Sequence, residues 1–571
     1  MPKLRWVDDD KARNAVSNVV MKILREDKSL SYGDPKSGNI LVHGDNLEAL
    51  KALLPFYAGR VKCIYIDPPY NTGNIFPNYD DNLEHSIWLG LIYPRLKLLR
   101  EFLREDGSIW VQIDDEELAY LKVVMDEVFG RQNYVNMISV NMKNVAGASG
   151  GGEDKRIKKN CEYVLAYAKN YQEVTQFKSV YEYREMYKVV EQYREEGKTW
   201  HYSSVLVNDG DKVYMCSTQD GDGNEIKIYR RPGAQVKSVR QIMEGEGISE
   251  KEVYYKYGDK IFEAKDAQSS IRTRVRGAKK ENHVDDDIVS IEYVPRSGRN
   301  KGVVYEQFYK GDGCRLFAWL KDISEVIDGV LYKKDKLGTY WDFTSKINNL
   351  TKEGDVVFSG GKKPEALVAR IFDMATLDGD LVLDAYLGSG TSLAVAVKMG
   401  RKCIGVEYGE QCYTHCAKRL KDVIDDADDG GVTEQEKWQG GGGFKFYELG
   451  EPLLDENGAI SEGIDFDTLA AHIWWRETGS AWDVATRNGT FLGVHDGVAY
   501  AMLYNGVLHD RSYAGGNVLI PKTMRIIRED IGEAKYSRLV VYGECTKMGA
   551  AKLREENVEF RQTPYDIVTR R

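Results

Sequence analysis

A short apolar run, Val61 to Ile66, ends in Asp67-Pro68-Pro69-Tyr70 and passes into the turn Asn71-Thr72-Gly73. Two successive prolines hold φ at about −65° and remove two amide donors, so a strand stops here with an aspartate at its carboxyl end. The Asp67 carboxylate and the Pro68 carbonyl then form a rigid pair of acceptors. Such a pair suits the exocyclic amine of a nucleobase, whose lone pair is delocalised into the ring. Accepting both amine hydrogens favours the localised, nucleophilic form, which is stabilisation directed at the transition state of transfer to that nitrogen. Tyr70 offers a face for stacking, a contact of about 1–3 kcal/mol per base in single-strand binders. A base inside a duplex cannot reach such a pocket, so the target has to be flipped out or already unpaired. Taken alone, the four residues are equally a proline turn closing a strand.

A second strand end changes the balance. Leu381-Val382-Leu383 leads into Asp384-Ala385-Tyr386-Leu387-Gly388-Ser389-Gly390-Thr391 and then a helix-compatible stretch. Glycines at such a turn let a ligand approach the backbone, and the helix start presents unpaired amides. A plain strand-to-helix connection has the same appearance. Glu407 ends the next apolar segment, Cys403 to Val406, at the roughly 20-residue offset where a carboxylate grips a nucleoside ribose in Rossmann-like folds. Nothing here cradles a pyrophosphate, so S-adenosylmethionine fits better than a dinucleotide.

Between these points, short apolar strands alternate with helical patterns: Asn39 to His43, Leu47 to Leu54, Trp88 to Leu103, Ser108 to Ile113 and Glu116 to Phe129. That rhythm predicts a parallel α/β sheet with ligands at the carboxyl ends of its strands. It breaks between residues 172 and 335, where tyrosines and charges dominate, and resumes from Pro364. The expected organisation is an N-terminal segment (1–38), a catalytic half (39–171), an insert (172–335), a cofactor half (336–449) and a separate small α/β domain (450–571). The glycine-rich stretch 144–152 reads as a loop.

The order of these motifs resembles that of the beta-class, circularly permuted DNA amino-methyltransferases: catalytic motif first, target-recognition insert next, cofactor motif last. Gly44-Asp45-Asn46-Leu47 resembles the element near the cofactor's adenine, and Lys363-Pro364-Glu365-Ala366-Leu367 the one that closes over its methionine end. Trp110 to Glu117 and Glu162 to Tyr167 also match the class. Within it, the length, Ile113-Asp114-Asp115 and Arg561 to Ile567 resemble the modification subunit of type III restriction-modification systems. Tyr386 stands where the family usually has Phe.

The resemblance implies a Rossmann-like, S-adenosylmethionine-dependent adenine-N6 methyltransferase. Asp67, Pro68, Pro69 and Tyr70 would be catalytic. Asp45, Asn46, Lys363, Pro364, Asp384, Tyr386, Gly388, Gly390, Thr391 and Glu407 would bind cofactor. It also implies a homodimer and a separate restriction subunit carrying helicase and nuclease activities. No Gly-x-x-x-x-Gly-Lys-Ser/Thr loop occurs in the chain, so ATP-driven cleavage would belong to that other polypeptide. Alternatives are an orphan or cytosine-N4 enzyme, a mainly recognition subunit with little activity alone, and an enzyme acting on RNA or on protein glutamine.

Double-stranded DNA as a partner has to be reconciled with a net charge of −10, from 89 acidic against 79 basic residues. Phosphate contacts are local, however, and screening confines them to about 10 Å. Three basic runs qualify: Lys155 to Lys159; Arg272, Arg274, Arg276, Lys279 and Lys280; and Arg296, Arg299 and Lys301. The alternation of Arg272, Arg274 and Arg276 reads as a strand. The eight cysteines are scattered, which suits reduced thiols. Cys412, His415 and Cys416 have metal-like spacing but lack a matching pair, so no metal is expected. Apolar runs are too short for a bilayer, and the first residues lack a signal-peptide core, so the expected location is the cytoplasm with no membrane contact.

Overall fold

The structure is a computed structural model. It describes residues 3–72, 75–76, 79–80, 83–143, 159–221, 223–296, 300–347, 350–356, 358, 361–454, 460–461, 463–507 and 510–563. The loop at 144–152, the basic residues Lys155 to Lys158, Arg299, and Pro564 to Ile567 lie outside the described residues. Two compact units are present, one of residues Met1–Ser179 with Gly338–Arg571 and one of Val180–Leu337.

The first unit is built on one large mixed sheet. Its central strands, in spatial order, are Gly443–Pro452, Ile40–His43, Lys402–Glu407, Leu381–Asp384, Val61–Ile66 and Leu103–Ile113, all parallel. Cys161–Ala168 then runs antiparallel beside Leu103–Ile113, with Tyr134–Asn141 beyond it. Strands from the two halves of the chain therefore interleave. Most of their side chains are buried, as expected of parallel strands covered on both faces, and Gly443–Pro452 is the least buried of them.

The strand order reverses at the centre. From Leu381–Asp384 the connection passes to Lys402–Glu407 on one side, whereas from Val61–Ile66 it passes to Leu103–Ile113 on the other. These two adjacent strands carry Asp384 and Asp67. A cleft opens at the carboxyl ends of strands wherever neighbouring connections diverge in this way.

The helices follow from local signals. Asp45 caps Asn46–Tyr57, its Oδ1 accepting from the amides of Leu47 (2.8 Å) and Glu48 (3.2 Å). Glu365–Ala375 begins just after Pro364, and Thr391–Lys398 begins from Gly390, whose φ is 80°. A Cβ at Gly390 would meet the Cα of Cys416 at 3.2 Å. A π-helical turn, Cys412–Ala417, precedes the helix Lys418–Ile424. That turn buries both Cys412 and Cys416, and the Cys416 thiol donates to the Gly388 carbonyl at 3.2 Å. Among the described residues no three metal-ligating side chains converge, and no helix is long and apolar enough to cross a membrane.

Residues 22–26 form a strand antiparallel to Gly443–Pro452, so the N-terminal segment is part of this sheet. The C-terminal residues have their own sheet, ordered Phe491–His495, Val498–Met502, Arg538–Gly543 and Val558–Gln562. They are not detached from the rest of the unit. Ile23 and Leu453 share an apolar core with Trp474, Trp482 and Tyr542, and the Trp482 amide donates to the Pro55 carbonyl at 2.9 Å.

The second unit contains an eight-stranded antiparallel sheet, a three-stranded one and the helix Ser270–Glu281. Here the structure corrects the sequence reading, because Arg272, Arg274 and Arg276 lie on this helix and not on a strand. Ile271, Val275 and Ala278, spaced four and three apart, pack into the unit's core, and Ser269 caps the helix by accepting from the Arg272 amide at 3.1 Å. The apolar spacing decides the element, and the arginine alternation does not.

One buried cluster joins three segments of the first unit. Glu365 pairs with Lys398 (3.0 Å) and Arg419 (2.6 Å), Lys398 pairs with Asp428 (2.8 Å), and the side chains of Glu365, Lys398 and Arg419 are fully buried. Replacing Lys398 by Met leaves Asp428 without its cation and Glu365 with Arg419 alone. It is expected to lower the unfolding free energy by about 3–5 kcal/mol, read as an earlier midpoint in chemical denaturation.

Candidate active site

The cleft at the divergence of the two strands is a cavity of about 910 Å³. Asp67 and Asp384, the motif from Pro68 to Tyr70, Tyr386, Gly388, Thr391 and Glu407 all line it, together with Asp45, Asn46 and Lys363. Of the predicted residues, Pro364 and Gly390 are not on its wall. They act instead as the backbone starts of two helices.

On the Asp67 side, Oδ2 of Asp67 receives the Lys363 ammonium at 3.0 Å. The other carboxylate oxygen, Oδ1, is buried and has no hydrogen-bond partner among the described residues. Burial pushes the Asp67 carboxyl above its ordinary range, although Lys363 opposes this. The motif is braced from behind by the Trp88 indole, which donates to the Pro69 carbonyl at 2.8 Å. Just beyond it, Asn71 adopts φ of 62° and its amide donates to Glu117 at 2.7 Å. The His85 ring lies 2.6 Å from the same Glu117 oxygen.

Sequence reasoning did not assign a role to Glu162. Its Oε2 accepts from the Tyr70 hydroxyl (2.9 Å) and the Gln112 amide (2.6 Å), and lies 3.5 Å from the Lys363 ammonium. Lys363, expected at the cofactor's methionine end, thus sits between two carboxylates with its ammonium 4.7 Å from the Tyr70 ring centre. The residue types gave a partial signal: a glutamate opening a buried strand is unusual and invites a functional explanation.

On the other side, Glu407 is clamped. It accepts from the amides of Gly388 (2.6 Å) and Gly409 (3.0 Å) and from the Gln411 side chain (2.7 Å). Gly388 has φ of 57°, which favours glycine, and its amide reaches the carboxylate directly. Asp384 accepts from Ser392 Oγ and from the Tyr386 amide at 2.9 Å. Asp45 and Asn46 are already engaged, Asp45 with Arg95 (2.9 Å) and Asn46 with the Ala385 carbonyl (2.9 Å). Arg95, also missed from sequence, connects this edge of the cleft.

In the second unit the predicted nucleic-acid contacts divide. Arg272 is held by the carbonyls of Gly313 and Cys314 and by Asp266, and Lys279 is buried and paired with Asp312 at 3.3 Å. Arg274 is half-buried, and Arg296 pairs with Asp220 at 3.1 Å. Arg276 and Lys280, one helical turn apart, are exposed.

An acceptor pair at one strand end therefore faces, across one cavity, a clamped carboxylate beside a glycine turn at the next. A model described as DNA methylase, covering N6 and N4 enzymes, matches residues 61–418, and the chain belongs to that family. It is 40% identical over 425 residues to the "Probable type III restriction-modification enzyme HindVI Mod subunit" of Haemophilus influenzae, covering 74% of this chain and 55% of that one. It is 34% identical over 209 residues to the EcoP15I Mod subunit of Escherichia coli, covering 31% of this chain and 32% of that one. The matched part therefore spans about half of the first relative's length and about a third of the second's.

Burial raises the Asp384 carboxyl from its ordinary 3.8 to about 7. Between those values the folded state holds a proton that the unfolded chain has lost, so this group makes stability fall as pH rises from about 4 to about 7. Asp384→Asn, which keeps the shape and stays neutral, is expected to match the wild type near pH 4. It should melt later at pH 8, with the gain bounded at about 4 kcal/mol. Paired thermal melts at the two pH values check this.

Proposed function

We propose that the chain transfers a methyl group from S-adenosylmethionine to the N6 amine of a flipped-out adenine in a short asymmetric DNA sequence, as the modification and recognition subunit of a type III restriction-modification system. The observation that carries the reading is the buried, unpartnered Asp67 Oδ1 at the rigid Pro68-Pro69 turn. A carboxylate oxygen without a partner in a buried site is costly unless a donor arrives, and an amine hydrogen is such a donor.

The cleft residues fit the cofactor. Glu407 offers a carboxylate for ribose hydroxyls beside a glycine backbone, and Tyr386 a flat ring. When bound, the sulfonium supplies an electrophilic methyl. Asp67 and the Pro68 carbonyl hold the amine, and Tyr70 holds the ring. In-line geometry supplies much of the acceleration. An aspartate at position 67 favours adenine over cytosine by resemblance to the class.

For DNA, the exposed pair Arg276 and Lys280 is the best-placed part of the predicted basic set. The restriction partner, the homodimer and the cytoplasmic setting follow from the type III reading, which rests on the relatives' names and on the sequence resemblance.

Expression in a methylation-free bacterial host, followed by single-molecule modification sequencing, is expected to give N6-methyladenine at one asymmetric motif on one strand. Asp67→Ala should reduce transfer at least about 100-fold while leaving cofactor affinity intact. An equal loss of affinity would refute that division of labour. Arg276→Ala and Lys280→Ala should each weaken DNA binding at all sequences and lower the slope of log affinity against log salt by about 1.

A further inference from the structure

We propose that Glu162 and Lys363 are a positioning pair that sets the attitude of the Tyr70 ring and the charge carried by Asp67 during transfer; this rests on the methyltransferase reading above. Neither residue is a catalytic residue in this assignment, since the amine would be held by Asp67 and Pro68.

The geometry is a closed set of contacts. Glu162 Oε2 is a junction for three donors, the Tyr70 hydroxyl at 2.9 Å, the Gln112 amide at 2.6 Å and the Lys363 ammonium at 3.5 Å. Gln112 is itself oriented, because its Oε1 accepts from the Tyr65 hydroxyl at 2.6 Å, which turns its NH₂ toward Glu162. Lys363 completes the ring of contacts by reaching Asp67 at 3.0 Å and standing over the Tyr70 ring.

Stacking alone needs only the flat ring of a tyrosine. Here the hydroxyl is fixed to a buried carboxylate and one ring face carries a cation. Two consequences follow. The ring plane is defined before a base arrives, which is the condition for an in-line approach. The charge of Asp67 is also balanced between neighbours of opposite sign, Lys363 favouring its ionised form and Glu162 opposing it. Tyr65, Tyr70 and Asp384 are the other titratable groups facing Asp67 from the elements around it. Glu162 itself is held below its ordinary range: burial opposes ionisation, but Lys363, Gln112 and Tyr70 outweigh it. It therefore presents a standing negative charge at neutral pH.

The two neighbours act on Asp67 with opposite sign, so their removal gives a readout that a merely structural role does not. Asp67 must be ionised to accept from the amine, so its titration sets the acid limb of kcat against pH. Glu162→Gln removes a negative neighbour and lets Lys363 pair with Asp67 alone, so the limb moves to lower pH. Lys363→Met removes the positive neighbour, so the limb moves to higher pH. Each shift is expected to be about one pH unit, and Lys363→Arg should restore the wild-type limb.

In both variants kcat falls while KM for S-adenosylmethionine changes less than twofold. Thermal melting establishes that each variant is folded, and Lys363→Gln, neutral and polar, supplies the lysine arm if Lys363→Met is not. Limbs that stay in place, or that move in the same direction in both variants, overturn the pair while leaving the transferase reading standing. A folded wild type that transfers no methyl to DNA overturns the transferase reading and the pair with it.

Discussion

Four buried charges hold the cofactor half of the cleft in shape. Glu365 begins one helix, Lys398 ends another, Arg419 lies on a third, and Asp428 follows in a loop. Arg419 also donates to the Ser389 carbonyl (3.2 Å) and to Thr391 Oγ1 (2.9 Å), so the network grips the glycine turn itself. Glu365 accepts in addition from the Val432 amide at 3.0 Å. Such a cluster is a poor source of net stability, because desolvating the charges consumes most of their attraction. Its effect is on geometry. Lys363 stands two residues before Glu365, so anchoring Glu365 fixes where the lysine backbone enters the cleft. The glycine turn and the lysine that faces Asp67 are thereby referred to the same buried point.

That common reference matters because the cleft is assembled from distant parts of the chain. Asp67 and Asp384 lie on neighbouring strands although more than three hundred residues of sequence separate them, with Val382 paired to Cys63 and Leu383 to Ile64. Glu162 arrives from a strand running in the opposite direction. No local interaction could align these groups, and the parallel sheet does so through register. The insert is excluded from the sheet and forms its own compact unit, Val180–Leu337, which explains how so long an interruption leaves the register intact.

Legibility followed the range of the interactions. Strands ending in Asp67, Asp384 and Glu407 were readable because unbroken apolar runs before a polar turn carry their own signal. The helical stretches from Leu47 and from Pro364 were readable from their own apolar spacing. What the sequence concealed was chemistry defined only by contact in space. Lys363 was placed by its motif near the cofactor, and only the fold brings its ammonium to Asp67 and Glu162. Asp45 and Asn46 line the cavity as expected, yet they are also engaged by Arg95 and Ala385, partners that lie far away in sequence. The basic helix shows the converse error, in which a conspicuous arginine alternation distracted from the quieter apolar spacing of Ile271, Val275 and Ala278.

The cleft's electrostatics follow from burial combined with an incomplete set of counter-charges. Asp67, Glu162, Asp384 and Glu407 face one cavity, and Lys363 is the cation shared by the first two. Burial raises Asp67, Asp384 and Glu407 above their ordinary values, the expected response of carboxylates crowded in a region of low dielectric. Charges inside such a cavity are weakly screened, so the cavity responds to the charge of what enters it. Selectivity of this kind requires the acidic groups to be buried, since in water the same four charges would be screened. The deep placement of the carboxylates, rather than their number, is what makes the site responsive to charge.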